Sequence, residues 1–232
     1  MKLSNKLLSI LLISTLFVSS AQSQVVNETT KKRIGFGIGL FNDFWVNTPN
    51  NVDIRPINQG FQVFAMYNTP FGKSDFGFSI GLGLTTHNMY GNFVVNRKAD
   101  STFLMPIPDS VSWKKSKITL TYLELPIEFN FKSKTKVSVG IGFKLGMLAG
   151  SNSKYKGEGH ITTNQYTINT DETVRFRTWG IKGLEQFVYG PTLRVGYKWF
   201  NVNAYYMLSS VFKKAQGPDM YPVSVGFVIM PF

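Results

Sequence analysis

From Ile34 onward the chain alternates apolar with small or polar residues at a period of two, and helical spacing is almost absent. Ile34, Phe36, Ile38 and Leu40 alternate with Gly35, Gly37 and Gly39. Phe76, Phe78, Ile80, Leu82 and Leu84 alternate with Gly77, Ser79, Gly81 and Gly83. Val137, Val139, Ile141, Phe143, Leu145 and Met147 alternate with Ser138, Gly140, Gly142, Lys144 and Gly146. Such a strand has one apolar face and one face of small side chains. Residues 60–69, 118–131, 187–198, 201–211 and 221–230 complete a set of eight predicted strands. Each of these reaches the roughly 9 to 11 residues a tilted strand needs to cross a bilayer, whereas strands of a soluble sandwich run to about 5 or 6.

The connections carry independent information. Residues 70–75, 132–134 and 199–200 are tight turns, while 45–58, 91–115, 151–186 and 212–219 are long. Short and long alternate strictly, which predicts an all-β fold: an eight-stranded antiparallel transmembrane up-and-down β-barrel with short periplasmic turns and long extracellular loops. The even strand count puts both termini in the periplasm and the protein in the outer membrane. Aromatic residues favour membrane interfaces, and this assignment sorts them into two girdles. Tyr67, Phe76, Phe129, Phe131, Tyr197, Trp199 and Phe232 fall near the periplasmic ends of strands. Phe44, Trp45, Tyr90, Phe187, Tyr189, Phe212 and Tyr221 fall near the outer ends. A soluble barrel of lipocalin type shares the period but needs a charged exterior, and the apolar phases of the first, third and fifth strands carry no charge.

The N-terminus is set apart before any fold is read. Lys2 and Lys6, the apolar run 7–18 and the small residues Ala21 and Ser23 make a secretory signal, residues 1–23. The run is shorter than the roughly 20 residues of a spanning helix. Residues 24–33 read as a polar periplasmic leader and 34–232 as one barrel domain. The chain has no cysteine, which excludes a lipid anchor at the cleavage site and a disulfide framework. The formal charge is +12, two of it in the signal. Export argues against nucleic acid as a partner. A basic outer surface would face outer-membrane lipids and the phosphates of lipopolysaccharide, or would simply be solvated.

Residues Tyr122-Leu123-Glu124-Leu125-Pro126-Ile127-Glu128-Phe129, the glycine-alternating strands and a closing strand ending on Phe232 resemble the PorT-type outer-membrane β-barrel family of Bacteroidota. The resemblance spans essentially the whole mature chain. It implies a barrel whose C-terminal strand is recognised by the barrel-assembly machinery. Pro231 departs from that signal, and in the last strand Val223, Val225, Phe227 and Ile229 lie on one face while Val228, Met230 and Phe232 lie on the other. The family's namesake is similar to components of type IX secretion, so the resemblance implies secretion-system proteins as partners, although most members have no assigned role.

Glu124 and Glu128 share the phase opposite Leu123, Leu125, Ile127 and Phe129, and Lys144 and Arg194 occupy the inward phase of their own strands. An eight-stranded barrel is just wide enough to be filled by side chains. The four are therefore expected to form a structural ion-pair network in the lumen, which also argues against a general porin. A pair of carboxylates for acid–base catalysis is the competing reading, but adjacent cations would hold both ionised and occupy the space of a substrate. His87 and His160 have no ligand spacing around them, so no metal and no cofactor are expected, and each reads as an ordinary interface or loop residue. His87 with a serine and Asp43 or Asp100 would imitate a lipid-modifying enzyme at the outer rim, yet no local motif selects a serine. The expectation is thus a non-enzymatic barrel with a structural or interaction role, with a lipid-modifying enzyme or small-solute transport as alternatives. The longest loop, 151–186, has alternating stretches at 160–168 and 173–178 that fit a hairpin above the membrane.

Overall fold

The period-two segments pair as strands. The computed structural model describes residues 33–98, 100–159, 161–162, 167–168 and 172–230. Of the N-terminal unit, Met1–Ile34, this includes only Arg33 and Ile34. The expected signal peptide and nearly all of the leader lie outside the described residues, as do His160, Pro231 and Phe232. The described strands are β1 (Ile34–Val46), β2 (Gln59–Pro70), β3 (Phe76–Tyr90), β4 (Phe93–Lys98), β5 (Ser101–Pro106), β6 (Trp113–Lys132) and β7 (Val137–Glu158). There follow β8 (Ile161–Thr162), β9 (Thr167–Ile168), β10 (Thr173–Trp179), β11 (Phe187–Tyr197), β12 (Phe200–Tyr206) and β13 (Tyr221–Ile229).

Eight of them hydrogen-bond in the order β1-β2-β3-β6-β7-β11-β12-β13, and β13 returns to β1 along a register from Ile38↔Ile229 to Val46↔Tyr221. The barrel is closed and antiparallel. Closure leaves no unpaired edge in this ring. Three connections are short (71–75, 133–136 and 198–199) and define the turn end; the four long ones define the loop end. Lys136 and Lys198 take left-handed backbone conformations, φ 67° and 56°, to reverse the chain in two of the short turns.

Alternation sorts side chains between the two faces. Phe36, Ile38 and Leu40 on β1, Leu82 and Leu84 on β3, and Ile141, Phe143 and Leu145 on β7 are exposed on the outside. No charged side chain interrupts this band among the described residues. A soluble barrel of lipocalin type would present the opposite face to its surroundings. The glycines line the inside, where they make room for larger neighbours. A Cβ on Gly140 would stand 2.9 Å from Glu128 Oε2, and one on Gly146 would stand 2.8 Å from Val188 Cγ2.

Three elements depart from expectation. First, β6 and β7 run for 20 and 22 residues, well past the predicted 118–131 and 137–147. At a register shift Thr121 pairs with Gly150 but Tyr122 with Leu148. Below it, β7 pairs with β11 (Phe187↔Met147 to Tyr197↔Val137); above it, with β10 (Trp179↔Asn152 to Thr173↔Glu158). The result is a three-stranded extension, β6-β7-β10, that continues the barrel wall beyond the loop end. Second, the connection 91–112 contains the β4–β5 hairpin, and a small core of Val94, Ile107, Val111 and Tyr155, with Trp113, Val174 and Phe176, packs on the extension. Third, β12 ends at Tyr206 instead of residue 211, because Met207 and Val211 turn into an apolar plug with Met89, Leu120, Phe212 and Met220. Phe212 is therefore buried in that plug and is not part of an outer girdle. Val228, with 1% of its surface exposed, points inward in the same phase as Ser224 and Gly226, so β13 keeps one phase throughout.

Candidate functional site

The polar side chains of the lumen gather in tiers. Nearest the turn end, Arg194 on β11 places Nη2 2.5 Å from Glu128 Oε2 on β6, and the same nitrogen lies 3.5 Å from Asn130 Oδ1. Its Nη1 meets the Met230 sulfur. Asn130 donates to Ser79 Oγ, which donates to Asn68 Oδ1 at 2.5 Å, so the network crosses from β11 to β2. Gly140 faces this tier, and its missing side chain is the space the Glu128 carboxylate fills.

In the middle tier Lys144 Nζ lies 3.1 Å from Glu124 Oε2, which also accepts from the Thr85 hydroxyl. The ammonium stands 4.2 Å from the centre of the Tyr205 ring, a cation–π contact in a desolvated setting. The four residues proposed from sequence thus meet as two pairs on two levels: Glu124 with Lys144 and Glu128 with Arg194. The cavity left among Gln62, Glu124, Glu128, Lys144 and Arg194 measures about 30 Å³. That holds roughly one or two waters.

The third tier lies under the apolar plug. His87 Nδ1 stands 3.0 and 3.1 Å from the two carboxylate oxygens of Asp43, and Ser224 Oγ donates to Asp43 Oδ1 at 2.6 Å. Phe41, Tyr122 and Tyr205 surround the imidazole at ring-centre distances of 5.2, 5.9 and 6.4 Å. His87 is 1% exposed and Asp43 0%. The expectation of an interface histidine is corrected: His87 is a core residue, because the inward phase of β3 carries it to the axis. The arrangement resembles a catalytic triad only in composition. The serine hydroxyl bonds the carboxylate, the Phe41, Tyr122 and Tyr205 rings pack around the imidazole, and Asp100 lies exposed elsewhere.

Sequence reasoning named Asp43 only as one of two possible acids beside His87, did not place it in the lumen, and missed Ser224. The signal was there: the inward phase Gly35, Gly37, Gly39 and Phe41 continues to Asp43, three residues past the predicted strand end. Among the expected interface aromatics, Tyr189, Tyr197 and Trp199 are exposed on the outer surface. Tyr90 is half-buried beneath Lys115 and Lys117, whose Nζ atoms stand 5.5 and 5.1 Å from its ring centre. Trp45 is instead turned inward; it packs on the plug, and its indole N–H donates to the Asn88 carbonyl at 3.0 Å. Its position in the phase of Asp43 dictates that direction.

A closed eight-stranded ring with an apolar exterior and a polar, packed interior is the architecture of a membrane barrel of the outer-membrane kind. The chain belongs to the family described as outer membrane protein beta-barrel domain, whose model matches residues 19–212. The chain is similar to the crystal structure of Ail, the attachment invasion locus protein of Yersinia pestis, in complex with the heparin analogue sucrose octasulfate. That match has 14% identity and a TM-score of 0.37 over 85% of this chain and 96% of that chain. It is similar also to the crystal structure of Ail by itself, at 12% identity and a TM-score of 0.40 over 85% of this chain and 95% of that chain. No curated protein matches the sequence.

Proposed function

We propose that this protein is a non-enzymatic, non-conducting barrel of the outer membrane that serves a structural or interaction role through its loop end. The observation that supports this most directly is the lumen, occupied by the Glu124–Lys144 and Glu128–Arg194 pairs and capped by the Met89, Leu120, Phe212 and Met220 plug. In this reading the loop end is extracellular and both termini are periplasmic, as the short turns favour. Its partners are outer-membrane lipids with lipopolysaccharide and, during insertion, the barrel-assembly machinery acting on the C-terminal strand. No nucleic acid takes part. Conductance tests the central claim: the protein in a planar bilayer gives a flat trace, and stepwise openings would overturn the reading in favour of solute transport.

The PorT-type resemblance to proteins of Bacteroidota narrows the role to an accessory of type IX secretion. Its test is separate. Comparing proteins released by a parent strain and a deletion strain should reveal cargo retained in the periplasm of the mutant, and unchanged release removes this narrower role.

A further inference from the structure

The extension places cations in register. Lys115 pairs with Lys156, and Lys156 with Arg175; Lys117 pairs with Lys154, and Lys154 with Arg177. All six alternate with residues of the opposite face, so two rows of three positive charges stand side by side on one surface of β6-β7-β10. With strands about 4.8 Å apart and two-residue steps of about 7 Å, the patch measures about 10 by 7 Å. Like charges placed directly across a sheet destabilise it. Among the described residues no salt bridge joins these six to a carboxylate. Glu158, the nearest acid in the pairing, turns its side chain to the Ser112 amide at 2.8 Å. Burial, followed by the charges of Lys115, Lys154 and Arg177, lowers the Lys117 ammonium to about 8. The opposite face is not available to a partner, because the Val94, Ile107, Val111 and Tyr155 core covers it.

The direction of this face decides what it meets. Lys117 and Lys115 continue the outward phase of Phe129, Ile127, Leu125 and Leu123, so the cations point sideways over the surrounding membrane and not along the barrel axis. Trp179, 63% exposed, shares a row with Asn152 immediately below the first cation row. Tryptophan marks the membrane interface. Two residues of a strand tilted near 40° climb about 5 Å, which lies within the roughly 5 to 7 Å headgroup layer. The Arg177 guanidinium rests 3.5 Å from the Trp179 ring centre, joining the aromatic row to the charged one.

We propose that the outward face of β6-β7-β10, through Lys115, Lys117, Lys154, Lys156, Arg175 and Arg177, docks the phosphate groups of lipopolysaccharide in the surrounding outer leaflet. This rests on the reading of the loop end as extracellular and assigns its lipopolysaccharide partner to named residues. The test titrates lipopolysaccharide into the purified full-length barrel in mild detergent. It compares the wild type with a variant carrying Lys154→Gln, Lys156→Gln, Arg175→Gln and Arg177→Gln, with folding of both checked by the gel shift on heating. Each basic residue near an anionic lipid surface is worth about a factor of five, so binding by the variant falls about tenfold or more after allowing for screening. Enzymatically dephosphorylated lipopolysaccharide binds the wild type as weakly as the native lipid binds the variant. Equal binding by both proteins overturns the proposal, as does equal binding of both lipids by the wild type, a comparison that stands even where the variant does not fold. Binding of soluble polyphosphate without binding of lipopolysaccharide overturns the membrane source. A conducting barrel would refute the proposed function, whereas a silent barrel indifferent to lipopolysaccharide refutes this assignment alone.

Discussion

Replacing Arg194 with methionine removes the guanidinium but keeps most of its apolar stem, leaving the Glu128 carboxylate without the partner it meets at 2.5 Å. Breaking a buried ion pair from one side costs about 3–5 kcal/mol, because the remaining charge is stranded in a medium that solvates it poorly. The two side chains retain 12% and 9% of their exposure, so some water reaches them and the lower limit of about 3 kcal/mol applies. That is a factor of roughly 150 in the unfolding equilibrium. With a denaturant slope near 2 kcal/mol per molar, the urea midpoint falls by about 1.5 M. The assay is equilibrium unfolding of the barrel in lipid vesicles, followed by tryptophan fluorescence and by gel mobility before and after heating. Pairing the change with Glu128→Met removes the stranded charge and recovers most of the loss, as apolar replacement of a whole buried pair is close to neutral. Should the single variant stay within about 1 kcal/mol of the parent, or the double variant be no more stable than the single, the pair is not what fills and fixes the lumen at this level.

One further outcome comes from the third tier and another from the extension. His87→Ala leaves Asp43 with Ser224 as its remaining partner and lowers stability by about 1–3 kcal/mol, while the lipid composition of the membrane stays the same; an altered lipid profile with the barrel assembled would instead revive the enzyme reading. Lys117, held near 8 by burial and by Lys115, Lys154 and Arg177, binds fewer protons folded than unfolded between about pH 8 and its ordinary value near 10.5. Stability of the lipopolysaccharide-free protein therefore rises as pH rises through that window, and the rise vanishes in Lys117→Met. A flat profile for the wild type would contradict it.

The ring of eight strands was legible because each crossing strand contrasts an apolar face with a small or polar one over many residues. The lumenal pairs were legible for the same reason: Glu124, Glu128, Lys144 and Arg194 break the inward phase of otherwise small residues. The contrast fails above Leu123 and Met147. There the outward phase passes to Thr121, Thr119 and Lys117 on β6 while the inward phase stays apolar at Tyr122, Leu120 and Ile118, and on β7 both faces turn polar from Ser151 to Lys154, so the period no longer announces a strand. The spacing of Lys115 with Lys117, Lys154 with Lys156, and Arg175 with Arg177 was visible as three i, i+2 pairs. Their meeting depended on a register that no single segment encodes. Trp45 and Phe212 were misplaced for a related reason: an aromatic at a strand end favours a membrane interface or a core equally, and only the phase of β1 and the inward turn after β12 separate the two.

The register shift at Thr121 and Tyr122 divides the work of β7 between two sets of neighbours. Every stave of the ring is paired without any residue between Gly150 and Gln186, since β11 takes over the lower half of β7 at Met147. The segment above can therefore lengthen, shorten or change its chemistry across generations without reopening the seam below. What the loop end presents is thereby separated from what the bilayer requires of the ring, and one long strand carries both.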